Sequence, residues 1–409
     1  MRTLKIVILS ALLVPALASA SGFEVINTNP RDLSLSGSGV AAQRDAAATY
    51  QNPASLTRIP EGLSLSLAGS MLSLKTKWTA PSDGASGLSG DATTNFAPTP
   101  PVALFLAYGL NAGGHKLGIG GGLGVPGGGQ MKWDEDWQGR GRIITVERRV
   151  LGGYLNAGYE ITPMFRVGGG LIYYYGIQYL KQGIEPFQGS FGELSANGGG
   201  LSFQLSADVQ VTDKLRLGVD FKNKATMKTK GDGHFSVPDS IAGAATQDQG
   251  VSEDLPFPMQ IAAGASYQVS KAVLVTLQYN YAGFNVYKED KFVGDAGLTL
   301  IVPRDYGDGH VVRGGVEWTV NPSFELRFGL MRDFSGLKTD TLSPTLPDSN
   351  TTGVSTGFTW KASNAFALNW ALFYGDRDKQ TATGTVAFPG SYKTNVWITG
   401  LGITWSAGQ

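Results

Sequence analysis

Three arginines at polar positions of the chain could hold an acidic ligand. Arg166, Arg313 and Arg327 each follow an apolar residue in a stretch where polar and apolar side chains alternate. A guanidinium binds a carboxylate through two parallel, charge-assisted hydrogen bonds. Acidic side chains share the polar positions of these stretches, so internal ion pairs are the alternative role for the same arginines. The residue types leave both roles open.

Residues suited to catalysis or metal binding are few. The chain contains no cysteine, which excludes disulfides, thiolate zinc sites and thiol nucleophiles. Its histidines, His115, His234 and His310, are far apart, and neither G-x-S-x-G nor H-E-x-x-H occurs. A barrel lipase would need a serine and a histidine within hydrogen-bond reach, together with an oxyanion hole. We therefore expect a protein without catalytic activity, cofactor or metal ion.

The composition narrows the class of protein further. The 409 residues carry 33 basic and 33 acidic side chains, and a neutral chain lacks the basic excess that nucleic-acid binding requires. A hydrophobic fraction of 42% leaves no room for a bundle of membrane helices, each of which needs ~20 apolar residues in a row. Glycine reaches 57 residues while only 16% of the chain is charged. This composition favours strands that face something other than water.

The N-terminus predicts the compartment. Arg2 and Lys5 precede an apolar run over residues 6–17, and Ala18-Ser19-Ala20 provides the small residues that a signal peptidase requires. We interpret residues 1–20 as a removed signal peptide, with a retained anchor helix as the alternative. The mature protein would therefore be exported.

From about residue 61 onward the hydrophobic pattern has a period of two. Residues 201–211 read LSFQLSADVQV, in which every odd position is apolar and every even position is polar, as a strand with one apolar and one wet face requires. Similar segments lie near 61–73, 100–110, 115–125, 142–160, 164–180, 200–211, 214–230, 255–269, 272–288, 308–320, 323–335, 352–361, 364–377 and 394–405. Tight turns alternate with long connections near 74–99, 126–141, 181–199, 231–254, 289–307, 336–351 and 378–393.

This pattern predicts an all-β protein, a transmembrane antiparallel β-barrel of about 14 strands over residues 61–409. Only a closed sheet leaves no unpaired backbone in lipid. A soluble β-sandwich is the alternative, but it would not place all its long loops at one end. Residues 21–60 do not alternate and are rich in Ser, Gly, Ala and Asn, so we expect an N-terminal hatch that plugs the lumen.

Several short motifs carry a resemblance to a known family. In chain order they are Gly22-Phe23, Ser36-Gly37-Ser38-Gly39, Asp45-Ala46-Ala47, Asn52-Pro53-Ala54, and the stretches 137–140, 221–227, 326–330 and 346–349. Their order and spacing resemble those of the FadL/TodX family of outer-membrane long-chain fatty-acid and hydrophobic-compound transporters. The resemblance implies a hatch around Asn52, Pro53 and Ala54, capture of a hydrophobic substrate on outer loops, an internal pocket with basic side chains, and lateral exit near the third strand. The motifs leave open which of the arginines contacts the ligand.

The third predicted strand has features that suit a lateral gate. One face of residues 116–130 consists of glycines, namely Gly118, Gly120, Gly122 and Gly124. Pro126, just beyond them, has no backbone N–H to donate to a neighbouring strand. A face made only of glycine leaves space beside the strand and bends readily. The alternative is that the glycines make room for the hatch.

Apolar clusters in two predicted outer loops suit ligand capture, because exposed apolar patches commonly mark binding sites. The residues are Phe187, Phe191, Leu194, Phe235, Ile241 and Phe257. The alternative is that they pack on one another as a lid.

The sequence therefore predicts a bacterial outer-membrane channel for the uptake of hydrophobic molecules. Its expected partners are a hydrophobic small molecule, outer-membrane lipid and lipopolysaccharide, with no nucleic acid, and the expected state is a monomer. An outer-membrane scaffold or surface receptor without transport is the alternative function, and a barrel lipase is the least favoured.

Overall fold

Strands make up most of the structure, a computed structural model that describes residues 29–84, 86–98, 100–384 and 387–407. The strands are β1 (Gly62–Thr79), β2 (Asp91–Thr93), β3 (Val102–Ala112), β4 (His115–Lys132), β5 (Thr145–Thr162), β6 (Phe165–Gly183), β7 (Phe191–Gln210), β8 (Leu215–Lys222), β9 (Ala225–Ser236), β10 (Gln249–Phe257), β11 (Gln260–Ser270), β12 (Val273–Ala282), β13 (Glu289–Gly294), β14 (Thr299–Pro303), β15 (Gly309–Asn321), β16 (Phe324–Phe334), β17 (Thr351–Lys361), β18 (Phe366–Arg377), β19 (Gln380–Thr381) and β20 (Ser391–Ser406).

Helices are short. The α-helices are α1 (Pro30–Leu33) and α2 (Ala48–Gln51), and single 3-10 turns cover Pro53–Arg58, Asp239–Ile241, Ala244–Thr246 and Phe284–Val286. In the part of the chain that the structure describes, no helix is long and apolar enough to cross a membrane. The predicted signal peptide, residues 1–20, and the first part of the predicted hatch, residues 21–28, lie outside the described residues.

The strands close into one antiparallel barrel. β1 pairs with β3 on one side and with β20 on the other, so the last long strand closes the sheet against the first. β8 with β9, and β10 with β11, each form one strand interrupted by two residues. The short strands β2, β13, β14 and β19 belong to the long connections and do not cross the wall. Without them the barrel has 14 strands, and the predicted all-β architecture is confirmed.

Side chains alternate across the barrel wall as the period of two predicted. On β7, Leu201 and Leu205 are 73% and 55% exposed on the outer face, whereas Gln204 between them is fully buried on the lumen side. The outer rows of Leu, Phe, Tyr and Trp form the lipid-facing surface of the barrel.

Long and short connections lie at opposite ends. Six tight turns join the strand pairs at one end, and the long connections at the other end cover 80–101, 133–144, 184–190, 237–248, 283–308, 335–350 and 378–390. Three of the predicted loops, 181–199, 231–254 and 289–307, are wrong in extent because strands run through half or more of each. The glycines and small polar residues of 192–199 hide the alternation, yet their backbones pair with β6.

Neighbouring strands differ in height. β4, β5, β6 and β7 have 18 to 20 residues, whereas the strands from β12 to β18 that cross the wall have 10 to 13. β3 is the exception among the long strands. It has 11 residues, whereas its neighbours β1 and β4 have 18 residues each.

The lumen is filled by the N-terminal segment. Residues 29–60 form the described part of the hatch, and Leu33, Leu35, Val40 and Leu56 are fully buried in it. α1 contacts β17, β18 and β20, while the 3-10 turn Pro53–Arg58 contacts β4, β5 and β6 on the opposite wall. The hatch therefore spans the barrel from one side to the other.

Candidate functional site

The hatch rests on glycines of the inner wall. A Cβ atom on Gly118 would overlap the carbonyl of Leu56, and one on Gly120 would overlap the hydroxyl of Thr49. A Cβ atom on Gly122 would overlap the neighbouring strand β3. The prediction of an empty space beside these three glycines is therefore wrong, because the hatch and β3 fill it.

The hatch motif is held by hydrogen bonds rather than by packing alone. The Ala54 backbone N–H donates to Ser206 Oγ of the wall at 2.8 Å, and Asn52 Nδ2 donates to the Val40 carbonyl within the hatch at 2.8 Å. Pro53 opens the following 3-10 turn, where its missing N–H is not needed. The motif thus fixes both the shape of the hatch and its position on the wall.

The barrel wall has a break between β1 and β4, above the short strand β3. β3 pairs with β4 only as far as Leu104 opposite Leu123, and with β1 only as far as Val102 opposite Gly69. Beyond these pairs, β1 and β4 have no strand between them until β2 pairs with β1 at Lys77–Thr79 and the Asn95 N–H donates to the Lys132 carbonyl at 2.7 Å. We call this break the wall notch and define it by residues 70–76 of β1 and 124–131 of β4.

The sequence explains why β3 stops early. Pro98, Pro100 and Pro101 precede β3 and have no backbone N–H to donate to a neighbouring strand. On β4, Val125 and Pro126 form a bulge, since Gly124 and Gly127 pair with β5 residues only two positions apart. The predicted irregularity at Gly124 and Pro126 thus coincides with the notch.

An internal cavity of about 110 Å³ opens beside the notch. Leu72 and Leu74 of β1 and Met131 of β4 line both the notch and the cavity. The remaining apolar lining comes from Val146, Leu180, Met331, Leu346, Phe373, Val396 and Ile398. Leu33 of the hatch belongs to the same buried cluster, so the hatch supports one side of the cavity.

Leu74 lies across the notch. A Cβ atom built on Gly129 would be 3.0 Å from Leu74 Cδ1, so the two strands are nearly in contact through this single side chain. A leucine side chain can change rotamer without breaking a hydrogen bond. Leu74 is therefore an apolar side chain that narrows the notch between the cavity and the outer face of the wall.

Part of the cavity lining is polar and contains two arginines paired to one carboxylate. Arg148 of β5 and Arg304, which follows β14, bind Asp290 at 2.9 and 2.6 Å, and the Tyr287 hydroxyl donates to Asp290 at 2.6 Å. Burial by itself raises the pKa of Asp290, but the charges of Arg148 and Arg304 outweigh it and hold that pKa below its usual range. Asp290 therefore fastens an outer-loop hairpin to the wall.

Arg313 also lines the cavity and has a different environment. Its Nη1 donates to the Ser36 carbonyl at 2.9 Å and its Nε to Asn280 Oδ1 at 3.1 Å. Within the described residues it makes no ion pair. A buried guanidinium with only neutral acceptors is the stronger candidate for binding an acidic ligand.

Arg166 and Arg327 lie at the opposite end of the barrel, near the tight turns. Arg327 binds Glu317 at 2.6 Å, and Arg166 binds Glu160 at 2.7 Å. The structure therefore places these two predicted ligand residues in the internal ion pairs that the sequence left as the alternative. Only Arg313 of the three reaches the cavity.

Hatch arginines join these ion pairs. Among the described residues, four pairs join hatch and wall: Arg31 with Glu317, Arg44 with Glu317 and with Glu325, and Arg58 with Asp208. Glu317 and Glu325 lie on the neighbouring strands β15 and β16 and Asp208 lies on β7, so the hatch is fixed at two places on the wall.

The predicted capture residues do not form one surface. Phe187 and Ile241 lie in outer loops and are half-buried. The assignment of Phe191, Leu194 and Phe235 to loops is wrong, since they lie on β7 and β9.

Two of these strand residues, Leu194 and Phe235, pack against other apolar side chains, as the alternative of a lid requires. Leu194 and Phe235 belong to a cluster around Trp133 and Trp137, whose rings stack at 4.3 Å. Phe257 lies on β10, deep in the lumen, with its ring centroid 4.7 Å from that of Tyr174. None of these three presents a free outer surface.

Catalytic and metal-binding groups do not gather in the part of the chain that is described. There, no three His, Asp or Glu side chains stand in a metal-binding arrangement. His115 stands in a tight-turn region, while His234 and His310 bond to Asp248 and Tyr279 at the outer end.

A closed barrel with a lipid-facing apolar surface and a hatch in its lumen defines an outer-membrane transport channel. The chain belongs to the family of outer membrane protein transport proteins (OMPP1/FadL/TodX), whose model matches residues 11–406. The predicted family, its outer-membrane location and its function as a channel for hydrophobic molecules are confirmed at this level. No curated protein sequence matches the chain.

Solved structures share the fold. A Pseudomonas aeruginosa FadL homologue superposes with a TM-score of 0.81 at 16% identity, covering 94% of this chain and 99% of that one. The Ralstonia pickettii toluene transporter TbuX superposes with a TM-score of 0.71 at 16% identity, covering 93% of this chain and 99% of that one. The Pseudomonas putida toluene transporter TodX superposes with a TM-score of 0.72 at 15% identity, covering 95% of this chain and 98% of that one.

Sequence reasoning missed Leu74, Arg148 and Arg304. Arg148 lies in the charged run Glu147-Arg148-Arg149, whose pattern does not show which of its side chains faces the lumen. Arg304 lies in a long outer loop, and no local pattern indicates that the loop folds back over the lumen. The three prolines before β3 were the available signal for the notch.

Proposed function

We propose that this protein takes up hydrophobic molecules that carry one acidic head group, long-chain fatty acids above all, and releases them sideways through the wall notch. The observation that carries the proposal is that Leu72, Leu74, Gly128, Gly129 and Met131 line both the cavity and the notch. A ligand in the cavity is thus next to the notch.

The lateral route has a physical reason. Each methylene that stays in an apolar environment gains about 0.8 kcal/mol relative to water, so a chain of many methylenes would lose that free energy in an aqueous lumen. The hatch closes the axial route with buried ion pairs and hydrogen bonds. The notch offers an exit that never leaves apolar surroundings.

Arg313 supports an acidic head group. Its guanidinium lines the cavity and contacts only neutral acceptors among the described residues. A carboxylate at this point would supply the charge partner that the arginine lacks. The apolar wall would then hold the alkyl chain.

A neutral aromatic ligand is the second candidate. TbuX and TodX, whose structures resemble this one, are toluene transporters. Such a ligand would contact the apolar lining of the cavity and would not need Arg313. Substitution of Arg313 therefore separates the two ligand classes.

Capture at the outer surface is also part of the proposal. Phe187 and Ile241 are the two predicted capture residues that lie in loops. We propose that they form the first contact, that the protein acts as a monomer, and that lipopolysaccharide surrounds its outer rim.

The test of the route uses two valine substitutions on the same strand. Gly129→Val adds a branched side chain against Leu74 and fills the notch, whereas Gly121→Val points to the lipid, where the nearest atom is 3.5 Å away. Extra methylenes forced into a close contact cost about 1–3 kcal/mol, so uptake of labelled oleate into cells should fall about tenfold or more in the first variant and stay unchanged in the second.

Folding of both variants is checked first by the heat-induced change in electrophoretic mobility. A folded Gly129→Val variant with unchanged oleate uptake would eliminate the notch as the exit.

A further inference from the structure

A second cleft, at the tight-turn end of the barrel, is lined by arginines from both the hatch and the wall. Its volume is about 420 Å³. The charged residues that carry the inference are Arg31, Arg44 and Arg58 of the hatch, Arg166 of β6, Arg216 of β8, and Asp213. Asp213 is the one acidic residue among the lining residues that the structure describes. We call this site the turn-side arginine cleft.

Three arginines of the cleft are ion-paired to wall carboxylates, yet one nitrogen of each lacks a hydrogen-bond acceptor. Within the described residues, Arg31 Nε, Arg58 Nε and Arg166 Nη1 are buried and have no acceptor. Arg166 Nη1 stands 3.7 Å from Asp208 Oδ1, which is too long for a hydrogen bond. A buried donor left unsatisfied costs about 1–3 kcal/mol, more when it is charged. The cleft therefore offers more donors than the protein itself satisfies.

Arg216 adds a positive charge without a carboxylate partner. Its Nε donates to Gln210 Oε1 at 3.1 Å, and it makes no ion pair with any described residue. The other four arginines of the cleft are paired with wall carboxylates. Arg216 is left without such a partner, so an anion beside it would be attracted. The cleft is thus built to gain from a bound anion.

We propose that the turn-side arginine cleft binds a phosphate-type oxyanion. The unsatisfied donors come from three separate arginines, so one ligand must present acceptors in several directions. A tetrahedral phosphate has that geometry, whereas a carboxylate has two oxygens in one plane, and arginine forks match phosphate oxygens in bidentate pairs. The phosphate could belong to a free ion or to a phospholipid head group of the periplasmic leaflet.

Such a ligand would connect the hatch to the wall. Arg31 and Arg58 belong to the hatch, whereas Arg166 and Arg216 belong to barrel strands. A ligand that binds both sets at once favours the plugged barrel over any state in which the hatch has moved. Phosphate binding should therefore stabilise the hatch in particular.

The first experiment measures binding of inorganic phosphate to the purified full-length protein by calorimetry, with ionic strength held constant by chloride. Arg216→Gln should raise the Kd about tenfold, because it removes one charged fork. Lys271→Gln is the matched control, since Lys271 is an exposed cation in a turn at the same end but outside the cleft. Its Kd should equal that of the wild type.

The second experiment distinguishes the source of the phosphate. The protein is placed in maltoside micelles, which contain no phosphate, with and without added phosphatidylglycerol, and hydrogen exchange of residues 29–60 is followed. If inorganic phosphate alone slows hydrogen exchange of the hatch, the bound phosphate is a free ion. If only phosphatidylglycerol slows hydrogen exchange of the hatch, the bound phosphate belongs to a lipid head group.

Three results would overturn the proposal. They are no saturable phosphate binding above the chloride control, equal binding by acetate, and an unchanged Kd in folded Arg216→Gln protein. Should that variant fail to fold, the exchange of hatch amides in wild-type protein still decides, because phosphate that leaves it unaffected does not bridge hatch and wall.

Discussion

At the scale of single residues, the two kinds of arginine in this barrel differ in their partners. Arg327 is opposite Glu317 in the register of β15 and β16, so its ion pair follows from the tight turn and could be predicted from the sequence. Arg313 lies on a similar strand but meets the hatch at Ser36, which no local pattern reveals. Roles that depend on contact between the hatch and the wall therefore need the folded structure.

Replacement of Arg313 should separate acidic from neutral ligands. Arg313→Met keeps apolar volume and removes the charge, so oleate affinity should fall about tenfold while the affinity for toluene stays unchanged. Arg332→Met is the control, because Arg332 lies on β16 and pairs with Asp378 at 2.6 Å outside the cavity. Competition binding to purified protein is the measurement. Equal loss for both ligands would remove Arg313 from head-group recognition.

The pH dependence of the outer hairpin follows from Asp290. Arg148 and Arg304 hold its pKa below the usual range. A carboxyl group with a lowered folded pKa stabilises the fold above its unfolded pKa of about 3.9, and the stabilisation is lost as pH falls through the folded value. The hairpin of β13 and β14 should therefore stay protected from hydrogen exchange between pH 5 and 8.

Asp290→Asn provides the contrast. It leaves Arg148 and Arg304 without their shared charge, so the hairpin should exchange faster at pH 7 in this variant. A loosening of the wild-type hairpin between pH 5 and 8 would contradict this account of Asp290.

At the scale of elements, the period of two was sufficient to predict the strands, because lipid on one side and the lumen on the other demand strict alternation. It failed in residues 192–199, where glycine and small polar residues pair without showing alternation. The glycine row of β4 was ambiguous for another reason. A glycine marks close approach, but the sequence does not say whether the approaching group is the hatch or a ligand.

Gly120→Val should therefore act on the hatch and not on the notch. Its side chain would overlap Thr49 and Leu56, and such overpacking costs about 1–3 kcal/mol. We expect a lower midpoint of thermal unfolding and a higher conductance for small ions in planar bilayers. Gly121→Val, on the lipid side, should change neither. Unchanged conductance and stability in Gly120→Val would show that the hatch does not press on this strand.

At the scale of the whole molecule, the hatch and the barrel behave as one ion-paired unit. Glu317 receives Arg31 at 3.0 Å, Arg44 at 3.1 Å and Arg327 at 2.6 Å. Removal of one partner of a buried ionic group costs about 3–5 kcal/mol because the remaining charges stay buried. The hatch should therefore depend on this single carboxylate.

Glu317→Gln should lower the free energy of opening of the hatch by about 3 kcal/mol or more. Hydrogen exchange of residues 29–60 measures this quantity directly. Glu193→Gln is the control, since Glu193 meets Lys181 at 3.6 Å and the Tyr179 side chain near the outer rim. Equal exchange in both variants would mean that the hatch is held by packing and hydrogen bonds alone.

The wall notch has a consequence for the surrounding bilayer. Ser70 and Thr76 at the two ends of the β1 edge find backbone partners in Pro101 and Thr94, but no strand pairs with the edge between them. Hydrocarbon cannot hydrogen-bond to backbone groups at such an edge, so we expect water and lipid head groups to lie deeper here than elsewhere around the barrel. A molecule that leaves through the notch should then enter the bilayer where it is thinner.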